Sequence, residues 1–461
     1  MVLTAESAGL APVRVGPSQR FLETTDGKPF FWLGDTAWEL FHRLTREEAD
    51  EYLRNRAAKG FTVIQAVALA ELDGLNTPNA YGHRPLVGND PGRPDVKDGP
   101  ENDYWDHVDW IVDRAGDLGL RIGFLPTWGD KWQAVRGGTG PVVFRPGNAR
   151  AYGEWLGRRY GGRAVIWILG GDRNIESEED RRIIDAMARG LRAGDGGRNL
   201  MTFHPRGPGR SSDYFHQVDW LDFNMHQSSH GGRDHDNGWF TAADHALKPA
   251  KPTLDGEPRY EQIPVGFYMQ GPSRALRFDD YDVRQAAYWS MLAGACGHTY
   301  GHNSVWQMWV PGRDAVIHAD VPWREALDHP GAFQMGHLRR LFESRHFTHL
   351  VPDPDLVVDG PRQGGAKVRA ARATDGSFAL VYSPRGEPFS VRMGGVESPQ
   401  VQSSWFDPRY GTAYPIYRAG NEGVQTFTPP SSGRGQDWVL VLDDARRNFP
   451  MPGRGRVAAE R

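Results

Sequence analysis

Several things are scarce in this chain. Of its 461 residues only one is a cysteine, Cys296, in the apolar run SMLAGACGHTY, so no disulfide can form within the chain. That fits a reducing compartment. No apolar run approaches the ~18–20 residues a membrane helix needs. The N-terminal stretch MVLTAESAGLAPVRVGPSQRF has neither a basic start nor an apolar core of the signal-peptide kind. The expectation is a cytoplasmic protein, or a secreted one if a leader has been removed. Charge of one sign is also lacking, with 54 Lys and Arg against 58 Asp and Glu, a formal net charge of −4. Neither nucleic acid nor an anionic membrane is favoured as a partner. Nothing in the sequence sets an oligomeric state.

Two motifs are missing as well. No Gly-rich phosphate turn follows an early strand, which argues against a dinucleotide-binding doubly wound sheet. No H-E-x-x-H is present, nor an H-x-H at the end of the first strand, so no metal and no other cofactor is expected. One loop keeps a metal-dependent hydrolase open as an alternative. HQSSHGGRDHDNG, residues 226–238, holds three His and two Asp, and His204 and His302 could join them.

What is abundant is aromatic side chain and turn residue: 16 Trp, 15 Tyr and 21 Phe, with 56 Gly and 33 Pro. Most of those rings pack a core. A few at strand ends could stack on sugar rings, whose C–H faces suit flat apolar surfaces.

Eight short apolar runs follow one another: 30–38, 61–69, 120–128, 164–172, 200–207, 223–228, 251–258 and 297–309. Bounded by Gly and Pro, they read as buried parallel strands. Helical periodicity fills most of the intervals. TREEADEYLRNRAAKG opens with Thr45 and Glu48 at capping-box spacing. YWDHVDWIVDRAGDLG carries Trp105, Val108, Val112 and Ala115 on one face and stops at Gly119. A helix break is expected near Pro330. Eight such units predict an α/β fold, a (β/α)8 TIM barrel over residues 1–347. Beyond it the pattern changes to short strands with turn residues every eight to twelve positions. Residues 348–461 therefore read as a small antiparallel β-sandwich, joined at VPDPD (351–355) and ending in a disordered tail from Asn448.

The carboxyl ends of barrel strands are where this fold places its chemistry. Asp35, Trp38, Trp128, Asp172, His204, His226, Gln227, Glu257 and His302 all fall there, and Trp306 lies just beyond. Two runs stop at acids. AVIWILGGDRN reaches Asp172 after two glycines, with Arg173 and Asn174 following; a helix-capping Asp is the plainer alternative. KPTLDGEPRYE reaches Glu257 between Gly256 and Pro258. Arg259 and Tyr260 beside it would keep a carboxylate ionised, as a nucleophile requires. Strand alternation puts Asp255 on the same face, where it could position a ligand. Two acids on different strands are the minimum for breaking a glycosidic bond. A carbohydrate is thus the expected partner, and a non-catalytic sugar-binding barrel is the other alternative.

The combination FFWLGDTAWELFHRLT, FTVIQAVAL, YWDHVDWIVDRAGDLGL, AVIWILGGDRN and KPTLDGEPRYE resembles the apiosidase-like glycoside hydrolases, glycoside hydrolase family 140 and its relatives. The likeness spans residues 20–345, and SSWFDPRYG resembles the collagen-binding-type β-sandwich that accompanies that family. The resemblance implies a retaining mechanism on a furanoside, with Asp172 as acid/base and Glu257 as nucleophile. The aromatic and polar residues at the same rim, with Asn174, Asp255 and Tyr260, are the expected substrate contacts.

Overall fold

The computed structural model describes residues 10–134, 139–267 and 276–455. The first nine residues, part of the stretch read for a leader, lie outside that set.

Eight parallel strands form the barrel: β1 (Trp32–Thr36), β2 (Val63–Val67), β3 (Arg121–Leu125), β4 (Val165–Gly170), β5 (Met201–His204), β6 (Asn224–Gln227), β7 (Thr253–Asp255) and β8 (Gly297–Tyr300). They run in the order β5-β4-β3-β2-β1-β8-β7-β6, and the short strand Gly209–Arg210 pairs antiparallel with β6. The barrel closes between β5 and β6 through Asp222 N–H to Met201 O at 2.9 Å and Thr202 Oγ1 to Phe223 O at 2.7 Å. Every residue of β1 to β8 is buried, because one face meets the barrel interior and the other meets the helices.

The helices that follow each strand are α1 (Arg46–Ala58), α2 (Tyr104–Asp117), α3 (Pro146–Tyr160), α4 (Glu178–Asp195), α5 (Ser212–Phe215), α6 (Gly238–His245), α7 (Asp280–Leu292) and α8 (Pro330–Glu343). The capping box at α1 forms as the spacing predicts: Glu48 N donates to Thr45 Oγ1 and Thr45 N donates to Glu48 Oε2. The break near Pro330 is also present, since Trp323–Ala326 is a separate turn of helix before α8. The eighth run is shorter than expected. Its second half turns into the helix Asn303–Trp306, because His302 accepts from Ser304 N and caps it. Helices α5 and α6 are short and had no clear periodic pattern. No helix among the described residues is long and apolar enough to cross a membrane.

The C-terminal unit is built of antiparallel strands in two sheets, one of six strands and one of three. Its six-stranded sheet is apolar on both faces. Val381, Leu440 and Trp405 face the three-stranded sheet, whereas Leu380, Tyr382, Val439 and Val441 join the barrel's own core. Tyr382 stacks on Tyr288 of α7 at 4.8 Å. Two buried ion pairs cross the same boundary, Arg284 with Asp437 and Arg345 with Asp443. Shared core on this scale fixes the two units against each other, each buried large side chain contributing about 1.5–3 kcal/mol.

The tail read as disordered is partly held. Pro450 O accepts from Arg345 Nη1 at 3.0 Å, and Gly453 N donates to Ser344 Oγ at 3.1 Å. Those bonds tie residues 448–455 to the end of α8; the remainder of the tail lies outside the described residues.

Candidate active site

The turn after β4 sets the first acid. Gly170, Gly171 and Asp172 have φ of 97°, 84° and 57°. A Cβ on Gly170 would lie 2.4 Å from His204 O, and one on Gly171 would lie 2.8 Å from Trp128 Cα. Only glycine fits at either place. Asp172 itself is a non-glycine residue in the left-handed region, a strained conformation of the kind that clusters at functional sites. The turn delivers the Asp172 side chain to the barrel mouth and aims its backbone N–H at His204 Nδ1, 3.3 Å away. Arg173 Nη1 donates to Asp172 O at 2.6 Å and to Oδ2 at 3.1 Å. The carboxyl keeps 27 % exposure, enough for a leaving group to reach it from the mouth.

Glu257 follows β7 and lies deeper. Two histidines face its two oxygens. His230 Nε2 stands 3.2 Å from Oε1, and His204 Nε2 stands 3.1 Å from Oε2. Each ring has its tautomer set from behind. A backbone N–H donates to Nδ1 in both cases, from Tyr260 to His230 at 3.3 Å and from Asp172 to His204. Nε2 therefore carries the hydrogen on each ring, and both rings present N–H to the carboxylate. The His230 contact has hydrogen-bond geometry. The His204 contact is off line and leaves Oε2 without a hydrogen-bond partner among the described residues. Oε2 is thus the less engaged oxygen.

These surroundings push the two acids apart. Burial raises the Glu257 carboxyl, but the facing His204 and His230 N–H groups outweigh it and hold it at about 2. For Asp172, crowding by the cavity walls is the largest effect and the charge of Glu257 adds to it; Arg173, His204 and Arg206 oppose them, leaving it at about 7. One carboxyl is ionised and the other protonated in mildly acidic solution, the division of labour that acid–base catalysis by a carboxyl pair needs.

Both acids line one cavity of about 250 Å³ at the carboxyl end of the barrel. Trp38, Trp128, Trp306, Tyr260 and Gln227 wall it, with Arg206 at its side. Trp38 and Trp128 pack at 5.3 Å between ring centres, and the Trp38 ring meets His204 edge-on. A cleft of about 290 Å³ lies between the N-terminal strands and His346–His349, but neither acid borders it.

Five residues expected at the rim point elsewhere. Asp35 faces the helix layer, where its Oδ2 accepts from Tyr52 and Arg56 at 2.6 Å each. His226 also points outward, stacked on Phe240 of α6. Asp255 does not share the face of Glu257, because the strand ends at Asp255 and the backbone turns; its carboxylate accepts from Ser228 Oγ and Asn237 Nδ2. Asn174 Oδ1 accepts from Arg206 N, which fixes the loop after β5. His302 caps the helix after β8 and meets His329 Nδ1 at 3.0 Å. His204 supports Glu257 without lining the cavity. The His/Asp loop is dispersed too: His230 goes to Glu257, while Asp234 and Asp236 go to arginines of the sandwich. Among the described residues no three His, Cys, Asp or Glu side chains gather as a metal site.

His230 and Glu71 are the chief residues missed. His230 was counted only as a potential metal ligand. Glu71, a third acid in the cavity, was passed over although it too stands where an apolar run stops, in FTVIQAVALAE. Burial and then the charges of Glu39, Asp172, Glu257 and Asp130 push its carboxyl well above the usual range. Its side chain has no hydrogen-bond partner among the described residues, whereas its backbone O is held by Asp73 N and Thr139 Oγ1. A protonated carboxyl facing a sugar cavity can both donate and accept. Glu71→Ala is expected to raise KM about tenfold, the worth of roughly one hydrogen bond, with little change in melting temperature. Equal KM in the two proteins would remove Glu71 from sugar recognition.

A barrel with two acids in one tryptophan-walled cavity at its mouth has the architecture of a glycoside hydrolase, and the comparisons with known proteins show that class. Two solved structures agree over almost the whole length. One described as "Glycoside hydrolase" is 33% identical with a TM-score of 0.87, covering 95% of this chain and 98% of its own. A glycoside hydrolase family 5 protein from Bacteroides vulgatus ATCC 8482 is 30% identical with a TM-score of 0.88, covering 97% and 96%. No curated protein matches the chain. Residues 17–349 match the family model "Apiosidase-like, catalytic domain", and residues 351–443 match "Putative collagen-binding domain of a collagenase". The chain belongs to the apiosidase-like family.

Proposed function

We propose that the enzyme hydrolyses a furanoside with retention of anomeric configuration. The observation that carries its hydrolytic part is the pairing, in one cavity, of Glu257, kept ionised by facing His230 and His204, with the protonated Asp172 carboxyl; retention is the choice that the anomer of the first-formed product tests. Glu257 Oε2 attacks the anomeric carbon while Asp172 gives its proton to the departing glycosidic oxygen. The C–O bond to the leaving group breaks and an ester to Glu257 forms. Asp172, now ionised, takes a proton from water as that water attacks the same carbon. The ester breaks, Glu257 leaves as carboxylate, and Asp172 is protonated again.

The family likeness favours a five-membered glycone, and the cavity size favours a single sugar unit. The family model is apiosidase-like. The cavity, about 250 Å³, is smaller than the ~300–1,000 Å³ of sites for drug-sized ligands, so it suits one sugar unit with the remainder at the mouth. The experiment is a release assay on aryl furanosides and pyranosides, with proton NMR of the first-formed sugar. Furanoside cleavage with the starting anomer formed first is the expected result. Cleavage of pyranosides alone would overturn the glycone assignment, and an inverted first product would overturn the mechanism.

A further inference from the structure

The loop between β6 and α6, residues 228–237, carries His230 to Glu257, and the sandwich grips that loop from outside. Asp236 receives Lys367 Nζ at 2.6 Å and Arg369 Nη2 at 2.6 and 2.9 Å. Asp234 Oδ2 receives Arg385 Nη2 at 2.9 Å. Gln285 of α7 completes the junction by donating to Asp234 Oδ1 and to Gly365 O. Lys367, Arg369 and Arg385 all belong to the C-terminal sandwich. The Arg369 pair is the most sheltered, its side chain 14 % exposed against 36 % for Arg385, so it holds position better than an open surface pair does. Asp234 has φ of 58° and Ser229 has φ of 74°, two left-handed turns that a free loop would relax.

We propose that the sandwich is a working part of the active site: by clamping Asp234 and Asp236 it sets His230 against Glu257. The three cations are positioning residues; none lines the cavity. The proposal rests on the reading that Glu257 reacts as a carboxylate. Glu257 also faces His204, Tyr260, Asp172 and Glu71. Only His230 sits on the clamped loop, so the clamp acts on the one imidazole that hydrogen-bonds Glu257. With that donor displaced, Glu257 loses a hydrogen bond to its charged form and its ionisation moves to higher pH.

The test uses the full chain labelled with ¹⁵N-histidine, the His230 signals being assigned by their loss in His230→Gln. In the double variant Lys367→Ala, Arg369→Ala the His230 pair should leave the Nε2–H pattern and broaden, while His204 keeps its own. On an aryl glycoside that the wild type hydrolyses, the acid limb of kcat/KM should move up by about one pH unit, as loss of one hydrogen bond to a charged group implies. Arg369→Lys should restore most of both. A His230 signal and an acid limb that match the wild type would overturn the proposal, even if the melting temperature falls. Should the double variant not fold, Asp236→Asn removes the ion pairs with the loop's shape kept and is read in the same way. If His230 responds but Glu257→Gln still turns over, the clamp stands and the nucleophile assignment falls.

Discussion

Glu257→Gln is expected to stop turnover on every substrate, with a loss of roughly 10⁴-fold or more in kcat, a barrier increase of about 5.5 kcal/mol. The amide has no ionised oxygen to form the ester. It also keeps its shape and can still meet His230, so the fold should survive; a melting temperature within a few degrees of wild type separates chemistry from collapse. The smaller replacement Glu257→Ala gives a sharper outcome. It opens room for azide, which can attack the anomeric carbon of an aryl glycoside from the vacated side. The product should be a glycosyl azide of inverted configuration. Full activity in Glu257→Gln, or a retained azide product from Glu257→Ala, would sink the nucleophile assignment.

Asp172→Asn should split the two steps. Forming the ester on a substrate with a good leaving group needs little protonation, so that step should stay within about tenfold of wild type. General-base help is lost in the second step, which should slow by about 10²–10⁴-fold. A burst of released aryl alcohol followed by slow turnover is the expected trace. The pH profile gives an independent reading. Asp172 must be protonated to act, so kcat/KM should be present between the ionisation of Glu257 at about 2 and that of Asp172 at about 7, and should be lost as pH rises through 7. On an aryl substrate the asparagine variant should lack that alkaline limb. An alkaline limb unchanged in Asp172→Asn would show that another group carries it.

The strand ends were the most informative part of the sequence, and they were uneven guides. Asp172 and Glu257 each end an apolar run and both reach the cavity. Glu71 ends one too and went unnoticed, because its run passes straight into a long polar insertion without the glycines that flag Asp172. Asp35, His226 and Asp255 lie in or at the end of strands and still miss the mouth. A barrel strand shows one face inward and the next residue outward, and which is which depends on strand length to within a single residue. His226 points to α6 while Gln227, beside it, enters the cavity. Helices α5 and α6, with no strong period, were not legible, and the turn at Asn303–Trp306 was read as strand.

By itself the sequence determined the local and the periodic: the eight buried runs, the capping box at Thr45 and Glu48, the break at Pro330, the change to antiparallel pattern after the barrel, and the two acids whose glycine and proline neighbours leave them at strand ends. Backbone preference and apolar spacing act over a few residues, so they can be read in order along the chain. Only the tertiary structure decided what surrounds those acids. His204 meets Glu257 from the end of β5 and His230 from the loop before α6, and each has its tautomer fixed by a backbone N–H, that of Asp172 and that of Tyr260. Lys367, Arg369 and Arg385 reach the His230 loop from more than 130 positions away. Protonation state follows from charge, burial and donors converging in space, and that convergence is a property of the closed barrel and the sandwich packed on it.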